Sequence, residues 1–260
     1  MRIFLIILAV IVVIIIILVL LGAGFSAFFS RTTRVADPAQ AKLNGQEMIK
    51  NAKVVVVVGA HPDDLEYYTG GTLGTLAAKG KKVIGVTVCD LGVIQATRRA
   101  EGTKAAKVLG YTPIFLGFPE RDYKGNRGLT DAQRVRVRAD ILAIIKKYHA
   151  DTLLAYDSAD QAPVYHHIDH IRCGVEAQAA AWKAGIKRVY LYSSGNPNTT
   201  VDIKPAGVRK SQAIAAHVSQ QNRTGILLAR TLLGWLRPFG VRADRPTGPV
   251  GGSSESFRKL

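Results

Sequence analysis

The sequence predicts an α/β protein whose mostly parallel sheet is covered by helices on both faces. Val54–Val58 is a continuous β-branched run, as expected for a parallel strand buried on both faces. Further short apolar runs alternate with segments of helical periodicity, the pattern of a parallel sheet. About 220 residues follow an apolar N-terminal segment, enough for one domain with a sizeable core. The later strands are predicted at 83–88, 113–116, 152–156 and 188–192.

The segments between these strands have apolar residues at helical spacing. Gly80 and Gly110 are expected to end the first two helices, since glycine adopts the left-handed conformation common after a helix. Gly70-Gly71 is interpreted as a plain turn before the first helix, with a backbone nest for an anion as the alternative. The predicted helices lie at 72–79, 98–109, 131–148, 169–184 and 208–221.

The N-terminal segment predicts a membrane anchor. Residues 3–21 are all apolar, and about 20 apolar residues cross a bilayer core. A cleavable signal peptide has a shorter apolar region and a clearer cleavage site. We therefore expect a transmembrane anchor at 1–30, a polar tether at 31–52 with a short helix over 39–50, and one α/β domain at 53–260. Positive charges on both sides leave the topology open, and the short N-terminal tail favours a single-pass protein with an extracytoplasmic domain.

The charge of the chain indicates its partners. The formal net charge is +16, which fits either solubility or attraction to an anionic surface such as lipid head groups or wall polymers. Nucleic acid is not expected, because no aromatic–basic platform or zinc-finger spacing occurs. Cys89 and Cys173 are interpreted as buried free thiols. The apolar segment 225–236 is expected to pack on the domain or on a partner subunit, which makes an oligomer possible, or to lie in a membrane interface.

Polar side chains collect where ligands bind to such sheets, beyond the carboxyl ends of the strands. A first group of acidic residues and one histidine follows the first strand, and a second group lies at the start of the helix after the fourth strand. Two histidines of the second group are spaced i, i+3 and share a helix face. The first group is His61, Asp63, Asp64 and Glu66; the second is His166, His167, Asp169 and His170.

These residue types suit metal-assisted hydrolysis. One aspartate and two histidines make an open catalytic zinc site. The Asp63-Asp64 pair offers one carboxylate for the metal and one as a base beside it. The alternative is a polar turn in which Asp64 caps the next helix. No G-x-S-x-G elbow supports serine hydrolase chemistry, and no G-x-G-x-x-G or P-loop motif occurs.

Two motifs together carry a family resemblance. Residues 60–66, A-H-P-D-D-L-E, resemble the A-H-P-D-D-x-E signature of the PIG-L/LmbE-like zinc-dependent N-acetylglucosamine deacetylases. Residues 167–170, H-I-D-H, resemble their later H-x-D-H element, although Ile168 stands where the family usually has proline. Glu120-Arg121 replaces the family's D-G. Supporting likenesses are G-G-T-L at 70–73, R-x-x-E at 98–101, F-L-G-F-P at 115–119, H-x-S-Q at 217–220 and E-x-F at 255–257.

The resemblance implies a Rossmann-like, LmbE-like fold over about 54–257 and a role for each site residue. His61, Asp64 and His170 would ligate Zn²⁺ or another divalent metal, and Asp63 would be the general base. His167 would stabilise the oxyanion, with Asp169 orienting it. Apart from the resemblance, we expect Arg98 or Arg99 to contact an anionic part of the substrate, the alternative being a solvated helix start. Glu66 would be structural.

The predicted function is removal of the N-acetyl group from an N-acetylglucosamine-type glycan or glycolipid, with release of acetate. One alternative is a metal-dependent amidase that acts on another N-acyl compound. The other is a non-catalytic glycan-binding surface module. A binder has no need of a base beside the metal, so the presence of Asp63 favours an enzyme.

Overall fold

The computed structural model describes residues 35–92, 94–120, 128–160, 167–221 and 253–260. Within these ranges the chain forms a seven-stranded mixed sheet of order β3-β2-β1-β4-β5-β7-β6. The first five strands along the sheet are parallel, and β7 runs antiparallel to both of its neighbours. The strands are β1 Val54–Gly59, β2 Lys82–Leu91, β3 Thr112–Pro119, β4 Thr152–Tyr156, β5 Arg188–Tyr192, β6 Thr199–Asp202 and β7 Ser254–Lys259.

Helices cover both faces of this sheet, which confirms the predicted mostly parallel α/β architecture. A 3₁₀ turn at Lys204–Ala206 precedes the sixth of the described helices. The helices are α1 Pro38–Asn51, α2 Asp64–Ala78, α3 Gln95–Leu109, α4 Asp131–Tyr148, α5 Ile168–Lys183, α6 Gly207–Ala215 and α7 Val218–Gln221.

The valine run forms the centre of the sheet. β1 pairs in parallel with β2 on one side and with β4 on the other. Because successive side chains of a strand point to opposite faces, alternate valines enter different cores. Val56 and Val58 pack in the layer that contains α4 and α5, whereas Val55 and Val57 pack in the layer that contains α2. This two-sided burial explains the unbroken β-branched pattern.

Strand β7 was not predicted, because only one of its two buried side chains is apolar and the sequence therefore lacks the alternating pattern of a strand. Its two buried residues are Glu255 and Phe257. The Glu255 carboxylate accepts hydrogen bonds from the N–H groups of Gly71 and Thr72, at 2.8 and 2.7 Å, and from Lys210 Nζ at 2.7 Å. A buried charge needs such partners, so the C-terminal strand is tied to α2 and α6 by one carboxylate.

The predicted turn at Gly70-Gly71 is wrong, because both glycines lie inside α2. This helix begins at Asp64, eight residues before the predicted start at Thr72. The glycines serve close packing: a Cβ added to Gly71 would lie 2.5 Å from Ile203 Cβ. The predicted helix 208–221 is likewise two helices, with Ala216 and His217 between them.

Helix α1 lies within the predicted tether. Its buried face consists of Ala41, Gly45 and Met48. A Cβ added to Gly45 would lie 2.0 Å from the Thr200 carbonyl oxygen of β6, so helix and strand are in direct contact. Residues 38–51 therefore pack against the domain.

The predicted membrane localisation has to be corrected. A span needs about 20 predominantly apolar residues, and none of the helices in the part of the chain that the structure describes is long and apolar enough. The longest of these, α4, has 18 residues and carries several charges. The predicted anchor at 1–30, on which the single-pass extracytoplasmic placement rested, lies outside the described residues.

Gly71→Ala is expected to lower the free energy of unfolding by about 1–3 kcal/mol, because the added methyl group overpacks the contact with Ile203. This cost exceeds the gain of up to about 1 kcal/mol in helix propensity. Urea unfolding monitored by circular dichroism measures the difference.

Gly207→Ala is the matched control. Nothing lies within 4 Å of a Cβ added there, and its φ of −59° is already helical. We expect unchanged or slightly higher stability. Equal stability of the two variants would show that Gly71 is not held in close contact.

Candidate metal centre

A strained turn joins β1 to α2 and carries the first half of the centre. The Asp64 N–H donates to the His61 carbonyl oxygen at 3.2 Å, and the His61 N–H donates to Asp64 Oδ2 at 2.8 Å. Asp63 adopts a φ of 113°, a conformation that costs a non-glycine residue free energy. Its side chain makes no capping hydrogen bond to α2. The turn therefore holds Asp63 and Asp64 in different orientations.

The N-terminus of α5 carries the second half. His167 is the N-cap residue, and its Nδ1 accepts a hydrogen bond from the Asp169 N–H at 3.3 Å. Asp169 and His170 follow in the first turn and are buried. Because β4 is parallel to β1, the chain after β4 emerges at the same sheet edge as the His61 turn.

Three donor atoms converge between these two halves. His61 Nδ1 lies 3.2 Å from His170 Nε2 and 3.6 Å from Asp64 Oδ2, and His170 Nε2 lies 3.2 Å from Asp64 Oδ2. Zinc bonds of about 2.0–2.1 Å in a tetrahedral arrangement place ligand atoms roughly 3.3–3.4 Å apart. The predicted ligand residues are therefore brought together at a spacing that fits a bound metal ion.

A second grouping shares two of these residues. Ligand atoms of His61, His167 and His170 all lie within 4.8 Å of one another. We favour the set that includes Asp64, because its donor atoms are closer together. In addition, the Nδ1 of His167 already accepts a backbone hydrogen bond. Neutral His167 therefore carries its proton on Nε2, and neither ring nitrogen is available to a metal ion.

Asp169 lies nearer to His61 than to His167. Its Oδ2 is 3.2 Å from His61 Nε2 and 3.8 Å from His167 Nδ1. A carboxylate that accepts from one ring nitrogen fixes the tautomer and leaves the other nitrogen available to a metal. In this arrangement the carboxylate of Asp169 orients His61, whereas its backbone N–H orients His167.

The charges of the centre shift several pKa values. Burial lowers the pKa of His61, but hydrogen bonds to Asp169 and Asp64 outweigh it and raise the pKa to about 10. Burial, with the neighbouring Asp64 charge, raises the pKa of Asp63 to about 6. Burial and the positive charge on His61 lower the pKa of His167 to about 4. The carboxylates thus favour a cation at the position between His61 and Asp64.

The two predicted substrate-binding arginines differ in their surroundings. Arg98 is buried, donates to the Pro62 carbonyl oxygen at 2.9 Å and pairs with Glu120 at 2.8 Å. It therefore braces the turn that carries Asp63. Arg99 pairs with the buried Asp90 and keeps 39% of its side chain exposed. Contact of either arginine with substrate stays a prediction.

Sequence reasoning missed a buried group behind the turn. The Glu66 carboxylate accepts from the Tyr111 hydroxyl and lies 3.2 Å from His217 Nε2. Glu66 and His217 are both buried. The H-x-S-Q motif at 217–220 was the available signal, but nothing in its spacing indicates a contact with a residue 151 positions earlier.

Other sequence predictions concern residues away from the centre or outside the described ranges. Cys89 and Cys173 are buried free thiols, as predicted, with their sulfur atoms 3.8 Å apart. His166, Arg121 and the apolar segment 225–236 lie outside the described residues.

Comparison with known proteins identifies the domain that carries this centre. Residues 56–181 match the PIG-L family, described as GlcNAc-PI de-N-acetylase. The chain therefore contains a PIG-L family domain. The matched range includes both halves of the centre, from the strand before His61 to the helix that carries His170.

Curated relatives of this chain are deacetylases. A 1D-myo-inositol 2-acetamido-2-deoxy-alpha-D-glucopyranoside deacetylase of Saccharomonospora viridis is 27% identical over 195 residues, covering 63% of this chain and 70% of the relative. The diacetylchitobiose deacetylase of Thermococcus kodakarensis is 26% identical over 225 residues, covering 75% of this chain and 80% of the relative.

A solved structure of similar fold is the N,N'-diacetylchitobiose deacetylase from Pyrococcus horikoshii in complex with its inhibitor MPG. The two are 26% identical, with a TM-score of 0.59 over 83% of this chain and 86% of that one. These likenesses confirm the predicted enzyme class: the chain is an N-deacetylase, a hydrolase of amide bonds. Its His/Asp cluster is capable of binding a metal ion.

Metal loading distinguishes the two possible ligand sets. Asp64→Asn is expected to weaken metal binding by at least about 100-fold, since changes outside the ligand shell already cost about 10- to 100-fold. His167→Gln is expected to retain about one metal ion per chain. Metal analysis after dialysis, with a chelator titration for affinity, measures both. Loss of metal in His167→Gln but not in Asp64→Asn would instead support the three-histidine set.

Proposed function

We propose that this PIG-L protein is a zinc-dependent deacetylase that removes the N-acetyl group from an N-acetylglucosamine-type glycan or glycolipid. The observation that carries the proposal is the convergence of His61 Nδ1, His170 Nε2 and Asp64 Oδ2 beside Asp63. Two nitrogen ligands and one oxygen ligand, with a further coordination position open, form the ligand set of catalytic zinc sites.

The proposed site consists of residues that would bind the metal and a residue that orients one of them. His61, Asp64 and His170 supply the ligand atoms, and Asp169 holds the His61 ring through Nε2. When bound, the metal supplies Lewis-acid polarisation of the amide carbonyl and acidifies the attacking water. Another divalent metal ion of similar coordination chemistry could bind to the same residues in place of zinc.

Asp63 is the proposed general base. Its carboxylate makes no cap hydrogen bond to α2, and the turn holds it beside the metal ligands. Its pKa, raised by burial to about 6, leaves it mainly ionised at pH 7 and able to accept a proton from water. The same carboxyl group can then return the proton to the departing amine, which leaves a free amino sugar and acetate.

His167 is the proposed oxyanion donor. The backbone N–H of Asp169 occupies its Nδ1, so the proton of neutral His167 lies on Nε2. Its lowered pKa of about 4 keeps the ring neutral near pH 7. A neutral N–H that is fixed in place can donate to the oxygen on which negative charge develops when the amide carbon becomes tetrahedral.

The substrate class rests on the relatives. The Saccharomonospora protein is named for an inositol glycoside of an acetamido sugar, and the Thermococcus protein for diacetylchitobiose. Both names contain an acetylated 2-amino sugar, and they differ in what the sugar is attached to. We therefore propose the acetamido sugar as the recognised unit.

Asp63→Asn is expected to lower kcat for acetate release by about 10²–10⁴-fold, because asparagine keeps the shape of the side chain but cannot accept the proton. The assay measures acetate from N,N'-diacetylchitobiose and from N-acetylglucosaminyl-inositol, with bound metal determined in parallel. We expect metal content to remain near that of the unchanged protein.

Asp140→Asn is the matched control, since Asp140 is exposed on α4 and far from the centre in sequence. It should leave kcat unchanged. Full acetate release by Asp63→Asn would exclude Asp63 as the base. Release of a different acyl group but no acetate would favour an amidase of another N-acyl compound.

A further inference from the structure

A concave groove with a basic lining lies between α1, the last turns of α2 and β6. Its cavity volume is about 660 Å³, within the range of about 300–1,000 Å³ that is usual for ligand pockets. The charged residues of its lining are Lys42, Lys50, Lys79, Lys81 and Asp202. The proposed deacetylation uses none of these residues, so the groove needs an explanation of its own.

The groove is separate from the candidate metal centre. Asp64 is the first residue of α2, and Lys79 is the C-cap residue of the same helix. With a rise of about 1.5 Å per residue, the two ends of this helix lie roughly 22 Å apart. Lys50 and Lys81 precede β1 and β2, whereas His61 follows β1. A small ligand in the groove would therefore not reach the proposed metal ligands.

Neighbouring carboxylates do not balance the positive charge of the groove. Within the part of the chain that the structure describes, the lysines that form ion pairs are Lys210 and Lys259, so none of the four groove lysines does. Asp202 accepts a hydrogen bond from the Lys204 N–H at 3.0 Å. Glu47, the acidic residue of α1, pairs with Lys259 instead. Four lysines against one aspartate leave an excess of three positive charges in the lining.

Helix ends account for only part of this charge. A lysine at the C-terminus of a helix interacts favourably with the helix dipole, which applies to Lys50 in α1 and to Lys79 in α2. Lys81 Nζ donates to the Lys50 carbonyl oxygen at 3.0 Å. Lys42, however, is the fifth of the 14 residues of α1 and lies far from the C-terminus of that helix. The convergence of all four lysines on one groove is therefore better explained by a negatively charged ligand.

We propose that this groove is a second binding site, which takes a ligand that carries several phosphate groups in one chain. A concave surface of one charge concentrates ions of the opposite charge. The described cationic residues of the lining are all lysines, which bind phosphate oxygens as flexible point charges. They lie on two helices and on the loop before β2, so that together they can contact successive phosphate groups. The site adds a binding function that does not depend on the deacetylation.

Calorimetric titration of the full chain with inorganic tripolyphosphate tests the proposal. We expect saturable binding of about one ion per chain that weakens as salt is added, because salt screens exposed charges. Inorganic phosphate should bind more weakly, since it reaches fewer lysines, and so should citrate, whose three carboxylates carry less charge. Absence of saturable tripolyphosphate binding would overturn the site. Equal affinity for either of the other two anions would overturn the assignment to several phosphate groups.

Two double variants with the same change of charge locate the binding. Lys42→Gln/Lys79→Gln is expected to weaken tripolyphosphate binding by at least about 10-fold, because two charged contacts are lost. Lys146→Gln/Lys183→Gln, in the last turns of α4 and α5, should keep the original affinity. The thermal midpoint and the metal content should stay unchanged in both. An equal loss of affinity in the two variants would overturn the proposal, since it would show attraction by net charge alone.

Two further measurements separate the groove from the metal centre. Asp64→Asn should leave tripolyphosphate binding unchanged, and its loss in this variant would place the anion at the metal centre and overturn the proposal. Labelling with an amine-reactive reagent, followed by mass spectrometry, examines the unchanged protein directly. Lys42 and Lys79 are exposed and should react more slowly in the presence of tripolyphosphate, whereas Lys146 should react at the same rate. Unprotected groove lysines would overturn the proposal even if the calorimetry shows binding.

Discussion

The parallel pairing of β1 with β4 is the constraint on which the candidate centre depends. Val55, Val56 and Val57 align with Thr152, Leu153 and Leu154. Parallel strands end at the same sheet edge, so the turn after β1 meets the helix that follows β4. This brings His61 to within 3.2 Å of a histidine 109 positions later in the chain.

Buried charge dominates the surroundings of this centre, and each carboxylate is matched by a cation or a donor. Glu255 is matched by Lys210 and two backbone N–H groups. Asp157 accepts two hydrogen bonds from Arg258, which, with other donors, hold its pKa below the usual range despite burial. Since unpaired buried charge is costly, these pairs fix the positions of β7, α2 and α6 relative to one another.

The carboxylate of Asp64, a proposed metal ligand, has partners of a different kind. Burial would raise its pKa, but interactions with His170 and His61 outweigh burial and lower it. Its partners are two imidazoles rather than a lysine or arginine, and imidazole can release a proton in exchange for a metal ion. The chemistry of this pairing, more than the fold, distinguishes the centre from the structural ion pairs elsewhere in the chain. Relatives with deacetylase activity are consistent with a centre of this kind.

The sequence alone determined the elements whose signal is local. The valine run, the helix 131–148, and the strands 152–156 and 188–192 were predictable from the pattern of apolar residues. The proposed ligand residues were also recognisable, because two short motifs contain them. In each case neighbouring residues in the chain contain the whole signal.

Only the tertiary structure decided the features that depend on distant partners. Gly70-Gly71 indicates a turn locally, but both glycines lie inside α2, where Gly71 packs on Ile203 and donates to the Glu255 carboxylate. Asp169 was predicted beside His167, and its carboxylate instead lies nearer to His61, 108 positions earlier. Glu66 and His217 are ordinary polar residues in the sequence and form a buried pair only because α2 packs against α6. Long-range contacts of this kind produce no periodic pattern in the sequence, because the two partners lie in separate segments of the chain.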